Sequence, residues 1–599
     1  MKKQLTKKDY LFWFIIVFIT LYVSLIAGDI YLSIQGNSFS AIANSISKNF
    51  KLQNPLDIYK KYSNLKELLI AQLVTFSILF SLIYFEIDKK TAYHKQEKGS
   101  AEFATSKDRK EYKLDKKEGN IILSNSEFLP LNMQLIYRNT NVLINGGSGT
   151  GKSRYIVKPN LMQCNCSYIV TDPKGELYRD CAYMLEKNNY DVKILNLKDP
   201  FFSDGYNPFN YMKGGTDIEV LAESIIKNTI GEKRQGDPFW ESSSKALLTA
   251  ALFYVNDLKE HKRNLPKVFD IIVKGKQEDE IEENELDLLF EKLKSKEPEH
   301  PALRYYDIFL LAPKETRNSI LISLATQLSF LGSSEMRNIL LKDTMELKNH
   351  NQKRAIFLIT PDSHGAYDTL AALFYTQMFQ VLYDVADKQK NGELAIHHEL
   401  ILDEFANIGK IPNFVKLVST MRSRKISVMP IIQNLSQLKN LYKDNMNTIV
   451  ANCDTQVYLG GSDQNNAKKI SEKLGKTTIK IKDSSSSKGT RSSVTKSRKT
   501  SERMLMTTDE VLRLDDEKEL VFIRGFKAFL SDKYNITKHK NYKLISNEKN
   551  HTFYEEKYKR NKNQELYNKE IKKETNEVDN MLEYGNELMN NRNGEEREE

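Results

Sequence analysis

The chain has 599 residues, with 89 lysines and arginines against 79 aspartates and glutamates, and a formal net charge of +10. This length exceeds the size at which one hydrophobic core stops growing, so we expect about two to four structural units. The charges are mixed along most of the chain, so their positive excess alone does not establish nucleic-acid binding. Four cysteines cannot form a disulfide framework or a paired zinc site, which predicts a reduced soluble part that is metal-free apart from any nucleotide-bound ion.

Two long apolar runs lie near the N-terminus. Residues 11–28 and 68–85 are each 18 residues without a charge, about the length that crosses a hydrocarbon core. The alternative is a cleaved signal peptide for the first run and a buried core helix for the second. Lysines precede the first run and follow the second, which places both ends in the cytoplasm. We predict a multi-pass domain of the cell membrane over residues 1–90, with helices at about 11–30 and 68–85 and the C-terminal body in the cytoplasm.

The next signal is an octet that follows a short apolar run at residues 141–145. It reads Gly146-Gly147-Ser148-Gly149-Thr150-Gly151-Lys152-Ser153. This is G-x-x-x-x-G-K-S with a predicted strand before it and a predicted helix after it, the phosphate-binding loop of nucleotide hydrolases. Glycines allow backbone N–H groups to close around phosphates. We expect the whole octet to bind ATP, with Lys152 on the β and γ phosphates and Ser153 on Mg²⁺.

A second predicted strand covers residues 167–171 and ends in the sequence Asp172-Pro173-Lys174-Gly175-Glu176. Charged groups at the carboxyl end of a parallel strand lie where open α/β sheets bind ligands. An ordinary strand-to-helix turn is the alternative interpretation.

Paired carboxylates follow an apolar run much later in the chain, about 250 residues after the octet. Asp403 suits a direct or outer-sphere contact with Mg²⁺, and Glu404 suits the general base that polarises the attacking water. The long separation requires an inserted domain between the two strands. His397 and His398 precede this run without a third ligand nearby, so we interpret them as structural.

The following predicted strand, residues 426–432, ends at Gln433, whose amide can sense the γ-phosphate or position water. Arg422 and Arg424 lie on the connection before this strand. An arginine there can reach the nucleotide of a neighbouring subunit and stabilise transition-state charge, whereas a solvated surface arginine is the alternative for each. An arginine that acts between subunits requires a head-to-tail interface, which can close into a ring.

Helical periodicity dominates residues 216–347, and strand-like patterning resumes at residues 355–359. We predict an inserted all-α domain over 216–347, between two parts of a nucleotide-binding domain at 91–215 and 348–545.

Two charged segments follow. Residues 484–503 hold six lysines or arginines and one acid, which predicts either a flexible hairpin tip or a segment that tracks the backbone of single-stranded DNA. Residues 546–599 are dense in Lys, Glu and Asn and predict a charged, flexible tail.

Further short motifs accompany the octet in a fixed order. They are Gly99-Ser100-Ala101, Thr171 to Glu176, Tyr206-Asn207-Pro208, Asp237 to Glu241, Leu402 to Ala406 with Ile411-Pro412, Gln433 with Gln437-Leu438, and Leu459-Gly460-Gly461. Together with the two apolar runs, this set resembles the type IV secretion coupling proteins, the TraG/TraD-like DNA-transfer ATPases of bacterial conjugation. The resemblance covers the chain to about residue 545.

The resemblance implies a RecA-like P-loop NTPase domain, interrupted by a small all-α domain, that assembles as a homo-hexamer on the membrane. It also implies a function: recruiting relaxase-bound single-stranded plasmid DNA, or a protein substrate, and handing it to a type IV secretion channel. Relaxosome accessory proteins and channel components are the implied partners, and the charged tail is a place where a relaxosome component can dock. The catalytic set carried over from the family pattern is Lys152, Asp403, Glu404, Arg422 and Gln433.

Two other functions compete with this one. A chromosome-type DNA translocase has a similar motor, but it usually carries more membrane helices and a C-terminal winged DNA reader, and nothing after Gly525 resembles such a reader. A receptor or scaffold is the other alternative, with an ATP site that sets assembly state rather than powering movement. A receptor that needs only bound ATP keeps its transfer activity in Glu404→Gln, whereas a motor loses it.

Overall fold

A computed structural model describes residues 7–34, 54–62, 65–91, 98–229, 238–275, 284–350, 352–361, 365, 367–487 and 493–545. The chain divides into two compact units. The N-terminal unit consists of residues 1–100 and 476–503, and the sheet unit consists of residues 101–475 and 504–599. The tail predicted at residues 546–599 lies outside the described residues.

Two long helices make up most of the described N-terminal unit. Its helices are α1 (Lys7–Leu32), α2 (Pro55–Lys61) and α3 (Leu65–Thr91). Within them, Phe14–Leu32 and Leu65–Ile83 are long and apolar enough to cross a membrane. Large apolar side chains remain exposed on both, for example Phe18 at 68% and Leu73 at 67%. Since only 11% of the second segment is buried, the packing disfavours a core helix of a soluble protein.

Close packing and one buried carboxylate connect these helices. A Cβ atom added to Gly28 would lie 3.3 Å from the backbone nitrogen of Gln72, so the small residue allows the two backbones to approach. Asp29 is buried near the end of α1 and accepts hydrogen bonds from Lys61 Nζ at 2.8 Å and Tyr62 Oη at 2.7 Å. The end of α1 is therefore attached to the residues around α2.

A nine-stranded sheet is the centre of the sheet unit. The strands of the chain are β1 (Asn120–Ile122), β2 (Phe128–Pro130), β3 (Val142–Asn145), β4 (Ser167–Thr171), β5 (Asp191–Asn196), β6 (Arg354–Ile359), β7 (His398–Leu402), β8 (Ile426–Ile432), β9 (Thr455–Tyr458), β10 (Lys476–Ser487), β11 (Ser493–Met504), β12 (Lys518–Ile523) and β13 (Phe529–Asp532). The order is β13-β12-β9-β3-β8-β7-β4-β6-β5. Strands β9 to β5 are parallel, and β12 and β13 add an antiparallel edge. Successive side chains of the central strands belong to two separate buried clusters, with Leu143 and Ile169 in one and Ile144 and Val170 in the other, so both faces of the sheet are covered.

The remaining strands pair separately: β1 with β2, and β10 with β11. The basic run predicted at residues 484–503 lies on β10 and β11, except for residues 488–492, which are outside the described part of the chain. The hairpin interpretation fits these two paired strands, and contact with DNA stays a prediction.

The described helices of the sheet unit pack against the nine-stranded sheet or against one another. They are α4 (Ser106–Glu111), α5 (Lys158–Gln163), α6 (Glu176–Lys187), α7 (Gly215–Thr229), α8 (Pro238–Asn256), α9 (Leu265–Val273), α10 (Glu285–Lys296), α11 (Pro301–Leu310), α12 (Lys314–Gln327), α13 (Ser334–Leu340), α14 (Asp368–Asp387), α15 (Phe414–Thr420), α16 (Leu435–Tyr442), α17 (Met446–Ala451), α18 (Gln464–Leu474), α19 (Thr508–Leu512) and α20 (Tyr542–Ile545). In α6, Leu177, Cys181 and Leu185 are spaced by four residues and all are buried, which is the pattern of a helix with one face on a core.

The described residues between β5 and β6 form helices, from α7 to α13, and no strand. This agrees with the helical pattern predicted over residues 216–347. Their buried side chains, such as Leu248 and Leu303, belong to the same hydrophobic core as Leu195 and Ile356 of the sheet. Because these helices and the sheet share one core, an independent all-α domain stays a prediction.

Candidate functional site

The octet forms a tight turn between β3 and a helical segment. Strand β3 is buried throughout, and the segment begins as a π-helical turn at Ser153–Val157 before α5 continues it. Gly149 and Gly151 have φ values of +78° and +82°, which side chains rarely adopt. A Cβ atom on Gly151 would also lie 2.4 Å from the ring of Tyr155. The glycines therefore permit a backbone turn whose N–H groups can surround an anion.

A second pair of glycines packs against this loop. They follow β9, the neighbour of β3 in the sheet. The Gly147 N–H donates to the carbonyl of Gly460 at 3.0 Å. A Cβ atom on Gly147 would lie 3.2 Å from the Cα atom of Gly461. Small residues at these positions thus allow β9 to support the loop from the side.

Lys152 and Ser153 end the octet. The Lys152 side chain is buried, and its ammonium donates to the carbonyl oxygens of Gly146 at 3.0 Å and Gly147 at 3.2 Å. A phosphate oxygen in the loop is a stronger partner for this ammonium than a neutral carbonyl. Ser153 Oγ donates to Asp403 Oδ2 at 3.2 Å. A hydroxyl beside a carboxylate matches the oxygen ligands that Mg²⁺ takes next to phosphates, so the residues present fit a bound magnesium nucleotide.

Asp403 and Glu404 follow β7 at the same edge of the sheet. Burial raises the pKa of Asp403, the neighbouring Glu404 raises it further, and Lys152 opposes both. Glu404 has a left-handed backbone conformation with φ +51°. Gln433 Nε2 donates to both carboxylate oxygens of Glu404 at 3.1 Å. A cation between Ser153 and Asp403 would favour the ionised form of Asp403.

The strand order brings these side chains together. Strands β3, β8 and β7 are parallel neighbours, so the residues that follow them meet at one edge. Lys152 and Ser153 follow β3, Gln433 follows β8, and Asp403 and Glu404 follow β7. The Ser153–Asp403 contact joins residues 250 positions apart in sequence.

Arg422 lies at the opposite edge. It is exposed on the turn Met421–Arg424, directly before β8, and the length of that strand separates it from the octet by about 23 Å. Arg424 is held within its own chain: it donates to Asp387 Oδ1 at 2.8 Å, and its guanidinium carbon lies 4.4 Å from the ring centroid of Tyr383. Arg422 therefore does not reach the octet of its own chain, whereas the contacts of Arg424 give that arginine a structural role.

Asp172, the first residue of the charged turn predicted after β4, is a buried acid beside Asp403. The backbone N–H of Tyr178 donates to Asp172 Oδ2 at 2.8 Å, so the carboxylate supports the start of α6. Burial raises the pKa of Asp172 to about 6, with Asp403 contributing in the same direction. The strand-to-helix turn accounts for this hydrogen bond, and the side chain also adds an acid next to the Ser153–Asp403 pair.

His397 and His398 lie at the amino end of β7, at the edge away from the octet. His397 Nε2 is 2.7 Å from Ser427 Oγ, and His398 contacts the carbonyl of Ile396 at 2.9 Å and His350 Nδ1 at 3.1 Å. Burial lowers the pKa of His397 to about 4 and that of His398 to about 3. Both are neutral at pH 7 and occupied by hydrogen bonds, which agrees with a structural role.

Comparison with known families and proteins gives a consistent result. Residues 86–565 match the family described as type IV secretory system conjugative DNA transfer. The chain is 23% identical to the conjugal transfer protein TraG of Escherichia coli over 422 residues, which are 65% of this chain and 66% of that protein. It is 24% identical to the protein VirD4 of Rhizobium radiobacter over 392 residues, 63% of this chain and 54% of that protein. The matches thus cover less than two thirds of the length of these relatives.

Solved structures show the same fold. The plasmid coupling protein TrwB in complex with ADP and Mg²⁺ is similar with a TM-score of 0.54 and 17% identity, over 72% of this chain and 92% of that one. TrwB in complex with the ATP analogue ADPNP is similar with a TM-score of 0.53 and 16% identity, over 72% and 93%. Together with the mixed sheet, this likeness confirms the predicted RecA-like α/β fold.

Proposed function

Because the chain belongs to the type IV secretory system conjugative DNA transfer family, we propose that it is a membrane-anchored ATPase of conjugation. It couples ATP hydrolysis to the delivery of relaxase-bound single-stranded DNA, or of a protein substrate, into a type IV secretion channel. The observation that carries the proposal is the meeting of Lys152, the Ser153–Asp403 contact and the Glu404–Gln433 pair at one sheet edge. A pure nucleotide receptor has no need of a positioned base.

The proposed roles follow from the positions of the atoms. Backbone N–H groups of the octet and the Lys152 ammonium bind the phosphates of ATP. Ser153 Oγ and Asp403 would hold Mg²⁺, and the ADP and Mg²⁺ named for the TrwB complex support this choice of ligands. The ion, when bound, neutralises phosphate charge that develops during transfer. Glu404 holds the attacking water and accepts its proton.

Gln433 gives this site a means of sensing the γ-phosphate. Its amide nitrogen donates to both oxygens of Glu404, so it competes with water for the base. A γ-phosphate oxygen is an alternative acceptor for the same amide. Gln433 therefore releases Glu404 when it turns to the phosphate, which links activation of water to the presence of ATP rather than ADP.

Membrane attachment and assembly complete the proposal. Helices α1 and α3 anchor the protein in the cell membrane as a multi-pass segment, with both ends in the cytoplasm. The helices between β5 and β6 act as an inserted all-α domain. Arg422 is exposed and distant from the octet of its own chain, which supports action on a neighbouring subunit in a homo-hexameric ring. Relaxase, relaxosome accessory proteins and channel components are the proposed partners.

The decisive experiment is ATP hydrolysis by the full chain in lipid nanodiscs, with and without single-stranded DNA, at two salt concentrations. We expect DNA to raise turnover, and more strongly at low salt, because phosphate contacts release counterions. Lys152→Ala abolishes turnover, whereas Lys187→Ala, an exposed lysine at the end of α6, leaves it unchanged. If ATP binds but DNA has no effect at either salt concentration, a receptor replaces the motor as the better description.

A further inference from the structure

A second lysine contacts the phosphate-binding loop from the antiparallel edge of the sheet. Lys533 directly follows β13 and is only 5% exposed. Its Nζ atom donates to the backbone oxygen of Thr150 at 3.0 Å and lies 5.3 Å from the ring centroid of Tyr155. Its backbone N–H donates to the carbonyl of Glu517 at 2.8 Å. An ammonium this deeply buried is costly without partners, and the loop carbonyl is its hydrogen-bond acceptor.

The geometry of the peptide group gives this contact a consequence. The Thr150–Gly151 peptide is planar and trans, so its C=O and N–H groups point in opposite directions. Lys533 attracts the C=O, and the Gly151 N–H therefore points away from Lys533. Gly151 has a φ of +82°, and glycine imposes little restraint of its own on the orientation of this peptide. A cation on the carbonyl also polarises the peptide and makes its N–H a better donor.

A buried acid accompanies Lys533. Glu519 of β12 is fully buried opposite Ser531 of β13, and neither of its carboxylate oxygens has a hydrogen-bond partner among the described residues. Burial lowers the pKa of Lys533, and Glu519 opposes this shift. Burial raises the pKa of Glu519, and Lys533 opposes that shift in turn. Glu127 and Asp532 add to the effect of burial, so the pKa of Glu519 stays well above its usual range, and the Thr150 carbonyl is the contact that holds the ammonium.

We propose that Lys533 is a positioning residue of the phosphate-binding loop, which fixes the Thr150–Gly151 peptide so that the Gly151 N–H faces a nucleoside di- or triphosphate. The inference rests on the proposed ATP site and adds a residue 383 positions after Thr150 in sequence. The antiparallel strands β12 and β13 thereby become part of the nucleotide site.

The test distinguishes binding of the phosphate groups from binding of the adenine ring. The full chain in detergent micelles is titrated with a fluorescent ADP in the presence of Mg²⁺, and unlabelled ADP and inorganic pyrophosphate compete for the site. We expect Lys533→Met to raise the dissociation constants of both competitors about tenfold, since one charge-assisted hydrogen bond is lost. KM for ATP rises by a similar factor, while kcat changes by less than about threefold because Lys533 contacts no reacting atom.

Two further variants serve as controls. Lys533→Arg keeps a charged donor and restores most of the affinity for pyrophosphate. Lys518→Met removes a partly exposed lysine of the same strand pair, which binds Asp532 at the surface, and leaves both dissociation constants unchanged. Thermal unfolding verifies that the variants are folded. If Lys533→Met does not fold, Lys533→Gln is measured instead and weakens pyrophosphate binding about threefold, because a neutral amide makes a weaker hydrogen bond to the Thr150 carbonyl than an ammonium does.

Wild-type affinity for pyrophosphate in a folded Lys533→Met protein overturns the inference, even if ADP binds more weakly. Wild-type affinity in Lys533→Gln does so where that variant carries the test. Failure of the proposed nucleotide site looks different, because the unsubstituted protein would then bind neither ADP nor pyrophosphate. Failure of the proposed motor leaves both affinities intact and shows only as turnover that DNA does not change.

Discussion

The two edges of the parallel sheet both contain buried ionisable groups, and strand β7 connects them. At its amino end, burial lowers the pKa of His398 to about 3 and raises that of Glu399 to about 7, so both shifts favour neutral side chains. At its carboxyl end, burial also raises the pKa of Asp403, but Lys152 and Ser153 oppose the shift. The acid at the carboxyl end therefore lies beside an ammonium, whereas the hydrogen-bond partner of Glu399 at the amino end is the thiol of Cys166, at 3.8 Å.

The difference between the two ends of β7 shows that burial of an acid or a histidine does not by itself indicate function. His398 and His350 satisfy one another within the packing of the strands. Asp403, in contrast, lies beside an ammonium and a hydroxyl that can share a metal ion and a phosphate. Perturbed pKa values indicate a site only when a specific charged partner accompanies them.

The largest expected effect is at Arg422, which lies at the amino edge of the sheet. A catalytic role for this arginine would break the comparison, because the amino edge would then also contribute to catalysis. We expect Arg422→Ala to lower ATP turnover about 10³-fold, as for other arginines that stabilise phosphoryl transfer in a neighbouring site. Nucleotide binding and the thermal midpoint stay unchanged. Steady-state hydrolysis by the full chain measures the effect.

Mixing subunits tests whether Arg422 acts between chains. Arg422→Ala subunits have an intact octet, and Lys152→Ala subunits have an intact arginine, so a mixed ring regains turnover at interfaces that combine the two. The control is Arg424→Ala, which lowers the thermal midpoint but keeps turnover, because Arg424 binds Asp387 and Tyr383 of its own chain. Absence of any recovery on mixing rules out action in trans.

A second prediction sharpens the comparison along a single strand. Glu404→Gln lowers turnover by about 10²- to 10³-fold, the usual size for loss of a general base, and leaves ATP binding intact. Glu399→Gln, an identical change at the other end of β7, keeps turnover within about twofold because it contacts no part of the site. Rapid-quench hydrolysis distinguishes the two. Equal losses in both variants would mean that the edges do not differ in function.

A smaller effect is expected at Gln433. Gln433→Ala removes the amide that donates to Glu404 and, in the proposed active state, to the γ-phosphate; kcat falls about tenfold because one hydrogen bond to a charged phosphate oxygen is lost. Gln456→Ala, on a strand two places away in the sheet, serves as the control. The sensing role also predicts that the variant loses part of its preference for ATP over ADP. An unchanged preference would contradict that role.

The weakest effect concerns stability at the amino edge. The pKa of His398 is about 3 in the folded protein and about 6.5 when unfolded. Between pH 3 and 6.5, His398 binds a proton in the unfolded state but not in the folded state. The free energy of unfolding therefore falls as pH decreases from 6.5 toward 3. Glu399 acts in the opposite direction between pH 4.5 and 7, because its pKa is raised to about 7.

His398→Gln therefore reduces the acid sensitivity of the fold, by about 1.4 kcal/mol per pH unit between pH 4 and 6. Thermal midpoints from pH 4.5 to 7.5 measure the change, and Glu399→Gln is the matched comparison because its loss makes the sensitivity steeper. If the thermal midpoints of His398→Gln and of the unsubstituted protein differ by the same amount at every pH, the proton linkage is contradicted.

Local sequence patterns were enough to predict much of the fold. The glycine octet, the apolar strands before Asp172, Asp403 and Gln433, and the two N-terminal runs are all contiguous in sequence. Residue type and spacing therefore sufficed to predict β3, β4, β7 and β8 to within about two residues. Helices α1 and α3 extend beyond the predicted 11–30 and 68–85, since hydropathy marks the thickness of a membrane rather than the last hydrogen bond of a helix.

The sequence by itself determined which residue types are present for binding and hydrolysing a nucleotide, and which runs are apolar enough for a membrane. Only the tertiary structure decided which of Arg422 and Arg424 is held by its own chain, and that Lys533 contacts Thr150 from 383 positions away. The physical reason is the range of the forces involved. Propensity and periodicity act over a few residues, whereas hydrogen bonds between distant residues depend on strand order, which places unrelated chain segments at the same edge.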